Sequence, residues 1–388
     1  MQNSTYQNDG KRKYRIGVDA SLLSEQATGI GRYTHEILSR LVPLGHEWFL
    51  YSHRPLLAGN WQFDNVHLRT GNAPKRLLRM LWLQSVLPLH ARRDRIDLFW
   101  SPAHRLPSLL PSHIAKVVTI HDLVWKHAGE TMRPLSRWLD ARLMPEAVRL
   151  ADRIITVSAH TAKDLLMEMP NAQGKIHPIP LGASLLANAA SRESLASLGL
   201  AEPYFLFVGT LEPRKNLARL LEAFSRLPDN LRHSAVLAIA GGGGWGGVDV
   251  ATIARKYGVQ DRVRVLGYVS EEQLATLYTH ALFLAMPSLY EGFGLPLIEA
   301  MSRGIPVLTS NCASMPDVAG DAGLLVDPHD VASISRGLSE FLCDNTKISA
   351  LASRAIANAA RFSWERAAEE TLQVFDETIA RKHLRLAK

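Results

Sequence analysis

The sequence predicts an α/β protein of two doubly wound domains, because short apolar segments alternate with helical segments in two separate series. In the first series the predicted strands are 15–19, 48–51, 97–100, 116–120 and 153–157. Helical patterns lie between them, for example over residues 32–41 and 137–150. Strands and helices that alternate in this way form a parallel sheet that is covered on both faces.

The second series repeats this Rossmann-like pattern. Its predicted strands are 204–208, 235–240, 262–266, 282–286 and 305–309. Its predicted helices are 216–227, 250–257, 271–279 and 296–303. A long amphipathic helix follows over residues 363–380, and Ser363 is its expected N-cap.

The two series define the domain boundaries that we predict. An Ala/Ser-rich segment separates them, which gives an N-terminal domain over 14–183, a linker over 184–202 and a C-terminal domain over 203–362. The remaining residues, 363–388, form the predicted C-terminal helix. Two such domains that face one another leave a cleft at the carboxyl ends of their strands, where open α/β sheets bind ligands.

The composition is that of a globular protein in a reducing compartment. The chain has 388 residues, of which 47% are hydrophobic and 21% are charged, and it has two cysteines, Cys312 and Cys343. So few cysteines exclude a disulfide scaffold and favour the cytoplasm. Because no signal peptide and no long apolar run is visible, we expect neither secretion nor a transmembrane helix.

The net charge of +7 is unevenly distributed along the chain. Residues 1–150 contain 21 Lys and Arg against 12 Asp and Glu, whereas the rest of the chain has slightly more acidic than basic residues. This asymmetry favours an anionic partner for the N-terminal half, such as nucleic acid, a lipid surface or a phosphate-bearing substrate. A basic face that serves solubility alone is the alternative.

The stretch TGIGRYTHEIL at residues 28–38 follows the first predicted strand and leads into a helix. Gly29 and Gly31 allow a tight turn and a close approach of the backbone to a ligand at the helix start. A dinucleotide fingerprint requires a third glycine where Thr34 stands, so an NAD site is disfavoured. We predict an acceptor or phosphate loop here, and a plain strand-to-helix turn is the alternative.

Polar side chains follow two further predicted strands. His121 and Asp122 come directly after one of them, at the position where α/β proteins place ligand contacts, although a buried core histidine is the alternative. Arg214 and Lys215 follow Gly209 in the stretch FVGTLEPRKN and precede a helix. Two cations beside helix N–H groups indicate a diphosphate site, and a solvated basic pair is the alternative.

The stretch PSLYEGFGLPLIEAMSRG places two carboxylates around a glycine-rich helix start. Gly292 and Gly294 free backbone N–H groups there, which would attract an anion, yet Glu291 and Glu299 flank the same turn. Because a carboxylate accepts hydrogen bonds from adjacent sugar hydroxyls, we expect one acid to bind a ribose and the other a transferred sugar. Acids that merely complement the helix macrodipole are the alternative.

Together these motifs resemble the signature of the retaining glycosyltransferases of family 4, which have the GT-B fold. The resemblance rests on the Glu-x7-Glu spacing, the following A-x-x-x-G-x-P-V pattern, the E-P-R-K-N stretch, the glycine-rich first loop and the His-Asp pair. It spans nearly the whole chain. It implies a mannosyltransferase-like enzyme with two Rossmann-like domains that face one another across a cleft, and a C-terminal helix that returns to the N-terminal domain.

The resemblance also implies a role for each matched residue. Those implied to act in catalysis are His121 and Glu291, and those implied to bind the donor are Gly209, Arg214, Lys215, Gly294, Leu295 and Glu299. Gly29 and Gly31 would line the acceptor side or approach the phosphates. One departure is visible: Thr210 follows Gly209 where many relatives carry arginine, so the diphosphate would depend more on Arg214 and Lys215.

The implied reaction is retaining transfer of a hexose from a nucleotide-diphosphate sugar, with GDP-mannose preferred. Negative charge develops on the leaving diphosphate, where cations and helix N–H groups stabilise it. The acceptor hydroxyl attacks from the same face and gives its proton to the departing phosphate, so no protein base is required. Because the chain has no Asp-x-Asp triplet, we predict metal-independent transfer, and we expect no cofactor besides the donor.

Residues 75–95 carry six basic side chains and one acidic side chain around an apolar centre. This segment could rest on an anionic membrane surface with Trp82 and the leucines inserted, or it could be a core helix with basic ends. On the first interpretation, the acceptor that the N-terminal domain binds would be a lipid-linked glycan at the inner face of the membrane, as in surface polysaccharide or O-antigen synthesis.

Other functions fit parts of the sequence. They are a nucleotide-sugar epimerase or hydrolase of the same fold, a non-catalytic adaptor at the membrane and an NAD-dependent oxidoreductase. The Glu-x7-Glu context favours a transferase, and the presence of His121, Lys215 and Glu291 argues against an adaptor. We therefore expect a nucleotide-sugar donor and a glycan or lipid-linked acceptor as partners, and no nucleic acid.

Overall fold

The computed structural model describes residues 13–24, 29–57, 59, 61–73, 76–183 and 189–387. Within these residues the chain forms two parallel β-sheets, one of seven strands and one of six. Every strand pair in both sheets is parallel, and helices connect most of the successive strands. The predicted α/β class with two Rossmann-like domains is therefore confirmed.

The N-terminal sheet has the strand order β3-β2-β1-β4-β5-β6-β7. Its strands are β1 (Arg15–Asp19), β2 (Glu47–Ser52), β3 (Val66–Thr70), β4 (Leu98–Ser101), β5 (Ala115–Ile120), β6 (Arg153–Thr156) and β7 (Ile176–Pro178). Its helices are α1 (Gly29–Leu41), α2 (Arg76–Leu81), α3 (Leu87–Arg93), α4 (Val124–His127), α5 (Pro134–Leu150) and α6 (Ala159–Glu168).

Strand β2 shows how the N-terminal sheet is buried on both faces. Trp48 and Leu50 belong to one apolar cluster, whereas Phe49 and Tyr51 belong to another on the opposite face. Because successive side chains of a strand point to opposite faces, this alternation of large apolar residues requires helices on both sides. The sheet is therefore the central layer, and ligands can approach it only at the strand ends.

The C-terminal sheet has the strand order β10-β9-β8-β11-β12-β13. Its strands are β8 (Tyr204–Val208), β9 (Val236–Ala240), β10 (Val263–Gly267), β11 (Leu284–Met286), β12 (Val307–Ser310) and β13 (Gly323–Val326). Its helices are α7 (Leu217–Ser225), α8 (Asp229–Arg232), α9 (Val250–Lys256), α10 (Glu271–His280), α11 (Leu295–Ser302), α12 (Met315–Ala319), α13 (Val331–Cys343) and α14 (Asn345–Ala359).

The last helix, α15 (Trp364–Leu386), returns to the N-terminal domain, as expected. The Ser363 side chain caps it by accepting a hydrogen bond from the backbone N–H of Arg366 at 3.3 Å. Its buried face packs on the first sheet, where the ring of Phe375 lies 5.5 Å from that of Trp100. The helix continues to Leu386, past the amphipathic stretch 363–380 and within the predicted C-terminal segment 363–388.

The chain passes between the domains at two points that touch. A Cβ on Gly182 would lie 2.2 Å from the backbone nitrogen of Trp364, so only glycine permits this close approach. Residues 184–188 of the predicted linker lie outside the described residues, and a 3-10 turn follows over Arg192–Leu198. The domain boundaries themselves stay predictions.

The structure of the basic segment 75–95 agrees only in part with our interpretation of it as a helix on a membrane surface. Trp82, which this interpretation would insert into a membrane, is buried in the protein together with Leu87 and Ala91, as the alternative of a core helix requires. The segment is broken into α2, a π-helical turn over Trp82–Val86 and α3, and Lys75 lies outside the described residues. Of the helices in the described ranges, none combines the length and the apolar character needed to cross a membrane.

Candidate functional site

The loop between β11 and α11 carries Glu291 to the interface of the two domains. Gly294 ends this loop with φ of 109°, a left-handed conformation that favours glycine, and Leu295 begins α11. A Cβ on Gly292 would lie 1.8 Å from the carbonyl oxygen of His121, at the end of β5 in the other domain. The loop backbone is therefore pressed directly against the N-terminal domain.

The turn after β8 is tied to this same loop. It is a single 3-10 turn over Pro213–Lys215, and Asn216 ends it with φ of 61°. The side-chain amide of Asn216 donates to the carbonyl oxygens of Pro287 and Pro328, at 2.9 and 2.7 Å. These bonds hold the turn and the loop together, and the cations of the turn consequently face the loop.

Arg214, Lys215 and Glu291 form a buried cluster of charges. Nη1 of Arg214 lies 2.6 Å from Oε2 of Glu291, and Nζ of Lys215 lies 2.6 Å from Oε1. Gly209 leaves room for this arrangement, since a Cβ there would come 3.3 Å from Cε of Lys215. The sequence predicted that these residues converge, but not that the two cations would bind the acid itself.

Two influences set the pKa values of the three side chains in this cluster, namely their burial and the charges of their neighbours. Burial alone would raise the pKa of Glu291, but Arg214 and Lys215 outweigh it and lower the pKa to about 2. Burial is the largest influence on Lys215 and lowers its pKa, although Glu291 acts in the opposite direction. Burial also opposes the charge of Arg214, yet the adjacent Glu291 raises its pKa. One carboxylate thus faces two cations in a desolvated site.

Glu299 is buried on α11 and is bound from both domains. The Tyr278 hydroxyl donates to its Oε2 at 3.0 Å, and the guanidinium of Arg32, on α1 of the other domain, pairs with Oε1. Burial is the largest influence on Glu299 and raises its pKa, although Arg32 and Tyr278 oppose it. Glu299 is the fifth residue of α11, beyond the first turn, so a macrodipole role does not explain it.

His121 lies at the end of β5 as a neutral side chain. Its Nε2–H donates to the carbonyl oxygen of Pro102 at 2.7 Å, and because a carbonyl only accepts, Nε2 carries the proton. Burial, followed by the nearby His104, lowers its pKa to about 4. The ring of Tyr33 packs edge-on against it at 4.9 Å. His121 can therefore hydrogen-bond a ligand but does not offer a positive charge near neutral pH.

Gly29 and Gly31 lie in the first turn of α1, which begins three residues before the predicted start at residue 32. Gly29 is next to open space, since a Cβ there would meet nothing within 4 Å. Thr28, at the start of the motif, lies outside the described residues. Arg32 follows this pair directly, and it is the residue of the motif that reaches the second domain.

A cavity of about 570 Å³ lies in the N-terminal domain at the carboxyl ends of β1, β2 and β4. Its lining includes Arg54, Arg79 and Arg105 from three different segments, together with Asp19 and Asp140. Arg105 and Asp140 form an ion pair at 2.9 Å. The size is typical of a small-molecule site, and the mixed charges suit a polar ligand.

The cavity is connected to the predicted catalytic histidine through His104. His104 lines the cavity, and its ring lies 5.6 Å from that of His121. Its Nδ1 is buried and makes no hydrogen bond within the described residues. Sequence reasoning did not identify His104, because nothing in its local pattern distinguishes it from a loop residue. Among the described residues, no group of three or more His, Cys, Asp or Glu side chains is arranged to hold a metal ion.

Comparison with known proteins agrees with this geometry. Residues 27–185 match the family described as Glycosyltransferase Family 4, and residues 192–362 match the family described as Glycosyl transferases group 1. The chain is 32% identical over 368 residues to the O-antigen chain mannosyltransferase B of Escherichia coli, a match that covers 90% of this chain and 96% of that protein.

Solved structures share the same arrangement of domains. Sucrose-phosphate synthase from Thermosynechococcus elongatus matches with a TM-score of 0.77 at 21% identity, over 95% of this chain and 100% of that one. WaaG, a glycosyltransferase involved in lipopolysaccharide biosynthesis, matches with a TM-score of 0.73 at 19% identity, over 92% of this chain and 98% of that one. At these identities the structures support the fold alone.

Proposed function

This chain belongs to the family 4 glycosyltransferases and is an enzyme with the GT-B fold, and from that premise we propose that it transfers mannose from GDP-mannose, or a similar hexose from its nucleotide-diphosphate donor. The acceptor in this proposal is a glycan or a lipid-linked glycan in the synthesis of a surface polysaccharide such as O-antigen. The O-antigen chain mannosyltransferase B of Escherichia coli, which matches nearly the whole chain, supports the choice of sugar and pathway.

The observation that carries the proposal is the buried cluster of Arg214, Lys215 and Glu291 at the domain interface. Two cations that are already desolvated form a strong site for the donor diphosphate, whose charge increases as the bond to the sugar breaks. When phosphate oxygens take the cations, the carboxylate of Glu291 is released to accept hydrogen bonds from hydroxyls of the donor sugar. One cluster thereby serves both halves of the donor.

His121 completes the proposed reaction centre from the opposite domain. The loop at Gly292 touches its carbonyl oxygen, so His121 lies beside the loop that carries Glu291, and in this proposal its side chain borders the transferred sugar. As a neutral imidazole, His121 hydrogen-bonds the sugar without repelling the positive charge that develops on it. The acceptor hydroxyl attacks the anomeric carbon from the side of the leaving group, so the anomeric configuration is retained. The departing phosphate takes the proton of this hydroxyl.

The 570 Å³ cavity beside His104 is the proposed acceptor site. It opens beside two helices that expose apolar side chains: Leu78 and Leu81 on α2, and Leu135 and Trp138 on α5. Exposed apolar side chains near arginines are suited to the surface of an anionic membrane, which supports a lipid-linked acceptor. In this proposal Trp138, which is 63% exposed, takes the interfacial place that Trp82 does not occupy.

The donor is tested by measuring thermal unfolding with GDP, UDP, ADP and dTDP in turn. GDP should stabilise the protein, by about 2.7 kcal/mol at a concentration one hundred times its dissociation constant. Stabilisation by a different nucleotide alone would replace the proposed donor, and stabilisation by none would contradict a nucleotide-sugar site.

The reaction itself is tested with GDP-mannose and a mannose-containing acceptor. NMR of the product should show the anomeric configuration of the donor, and the rate should be unchanged by EDTA. An inverted product or a rate that EDTA abolishes would refute the retaining or the metal-independent part of the proposal.

A further inference from the structure

Asp164 and Tyr290 form a buried contact between the two domains that the proposed chemistry does not use. Tyr290 directly precedes Glu291, and its hydroxyl donates to Oδ2 of Asp164, on α6 of the N-terminal domain, at 2.6 Å. The same hydroxyl oxygen accepts a hydrogen bond from the backbone N–H of Leu123 at 3.4 Å. Both partners are nearly inaccessible to water, with Asp164 and Tyr290 each 6% exposed.

Two histidines surround this contact on the side of the N-terminal domain. Nε2 of His160 lies 3.2 Å from Oδ2 of Asp164, and Nε2 of His127 lies 3.6 Å from the same oxygen. The ring of His127 is stacked on that of Tyr290 at 5.4 Å. Burial opposes ionisation of Asp164, but hydrogen bonds from His160 and Tyr290 outweigh it and lower its pKa. The tyrosine is thus held by its ring as well as by its hydroxyl.

Helix α6 also binds the loop one turn earlier in the helix. The hydroxyl of Thr161 lies 3.3 Å from the carbonyl oxygen of His121 and 3.2 Å from that of Gly292, and it bridges the two domains. The Ser158 cap of α6 accepts from the backbone N–H of Thr161 at 3.0 Å and fixes that residue in turn. A single helix therefore contacts the loop on both sides of Glu291.

The C-terminal domain holds the other side of the same loop. Nη1 of Arg214 donates to the carbonyl oxygen of Tyr290 at 2.9 Å, and the hydroxyl of Ser314 lies 2.9 Å from the carbonyl oxygen of Glu291. These bonds orient the backbone of the loop within its own domain. They do not set its distance from His121, which depends on contacts that cross the cleft.

We propose that Asp164 and Tyr290 are positioning residues that fix Glu291 relative to His121 when the domains meet. This inference rests on the proposed function, since it assigns to the pair the alignment of donor and acceptor across the cleft. Neither side chain touches the reacting groups. Their effect passes through the backbone of Tyr290 to Glu291 and through α6 to the end of β5.

The expected cost of losing the contact follows from the geometry that transfer requires. A displacement of about 1 Å between reacting groups lowers a rate by about 100-fold, because the productive arrangement is then rarely visited. Nucleotide binding depends instead on Arg214 and Lys215, which lie wholly within the C-terminal domain. The proposal therefore predicts a loss in kcat with little change in the affinity for the nucleoside diphosphate.

The test compares Tyr290→Phe and Asp164→Asn with the wild-type enzyme, using GDP-mannose as donor. Tyr290→Phe keeps the ring that stacks on His127 and removes only the hydroxyl, and kcat should fall about 10- to 100-fold. Asp164→Asn retains a neutral acceptor for the tyrosine hydroxyl, so its loss should be smaller than that of Asp164→Ala. The dissociation constant of GDP should stay within about threefold of the wild-type value in each variant.

Matched controls come from similar contacts elsewhere. Tyr257→Phe removes a tyrosine hydroxyl that donates to Glu222 at 2.9 Å, a contact that lies within the C-terminal domain and does not cross to the other one. Glu168→Gln removes an acid of the same helix that pairs with Lys126 at 2.8 Å. Both should keep kcat within about twofold of wild type, and the double variant of Tyr290→Phe with Asp164→Asn should lose no more than Tyr290→Phe alone.

Hydrogen–deuterium exchange of the segment 287–294 gives a readout that does not depend on turnover. Exchange should be faster in Tyr290→Phe and Asp164→Asn than in the wild type or the controls. If both variants keep wild-type kcat and wild-type exchange, the positioning role is wrong. If exchange accelerates as expected while the wild-type enzyme transfers no sugar, the positioning role stands and the proposed function fails.

Discussion

Replacement of Glu291 by glutamine tests the two roles proposed for its cluster, in which the cations bind the donor diphosphate and the carboxylate binds the donor sugar. The fall of the pKa of Glu291 from 4.5 to about 2 corresponds to about 3 kcal/mol of stabilisation of the carboxylate by its surroundings. Glutamine has nearly the same shape but no charge, and it leaves Arg214 and Lys215 buried with only a neutral acceptor. The free energy of unfolding of the variant should therefore fall by about 3 kcal/mol, the lower end of the range for breaking a buried ion pair.

The same substitution should lower kcat and preserve nucleotide binding. A hydrogen bond to a charged acceptor contributes about 1.5–3 kcal/mol, so loss of one such bond to the donor sugar in the transition state slows transfer roughly 10- to 150-fold. GDP should bind at least as tightly as to the wild type, because the carboxylate no longer competes for Arg214 and Lys215. Initial rates with GDP-mannose and calorimetric titration with GDP measure the two quantities separately.

The control is Glu202→Gln, which breaks a partly exposed ion pair at 2.7 Å with Arg262 of the C-terminal domain. An exposed pair contributes less than about 1 kcal/mol, so both stability and kcat should be nearly unchanged. Wild-type kcat in Glu291→Gln would refute the assignment of this residue. A parallel loss of GDP affinity and kcat would show that the carboxylate supports the diphosphate site rather than competing for it.

Three further predictions follow from the geometry of the same region. The contribution of Glu291 to the free energy of unfolding should be complete above about pH 4.5 and be lost as the pH falls toward 2, since the folded-state pKa of Glu291 lies below its unfolded value. In urea titrations, the difference in stability between the wild type and Glu291→Gln should therefore shrink over this range of pH. Asn216→Ala should be less stable than Asn216→Gly by about 1 kcal/mol in the same titrations, because a backbone φ of 61° strains alanine but not glycine. Both variants lose the two hydrogen bonds to proline carbonyl groups, so this loss cancels in the comparison. Gly292→Ala should lower kcat more than 10-fold, because its Cβ would meet the His121 carbonyl oxygen at 1.8 Å, whereas Gly242→Ala, with nothing within 4 Å, should be silent in the same assay.

The fold could be predicted from the sequence wherever a strand is buried on both faces. β9 is a continuous apolar run, β5 is a mainly apolar run that is buried at every position, and both lie where predicted, to within a residue. The pattern did not reveal β3, β7 and β13, and each of them is an edge strand that is paired on one side only. These three strands are partly exposed and lack the continuous apolar run that marks a central strand, whereas the fourth edge strand, β10, was predicted.

The convergence of Glu291 with Arg214 and Lys215 was also predictable, because the carboxyl ends of parallel strands meet at one edge of a sheet. The partners supplied by the other domain were not. Arg32 and Asp164 have no local signal, since their importance arises from the way the two domains meet. Interdomain contacts are set by many weak contacts distributed over both surfaces, and no short stretch of sequence records them.

Both acids of the Glu-x7-Glu pair are already bound by protein groups. A donor that uses them must therefore compete with these contacts. In the proposed reaction, the donor diphosphate competes for Arg214 and Lys215 with the carboxylate of Glu291, which lies 2.6 Å from each. Because the fold has already removed these cations from water, the exchange substitutes one anion for another and adds no further desolvation cost for the cations. The displaced carboxylate then needs hydrogen-bond donors, which the sugar hydroxyls of the intact donor supply and a free nucleoside diphosphate does not. The site should accordingly bind the nucleotide sugar more tightly than the nucleotide product, which favours product release after transfer.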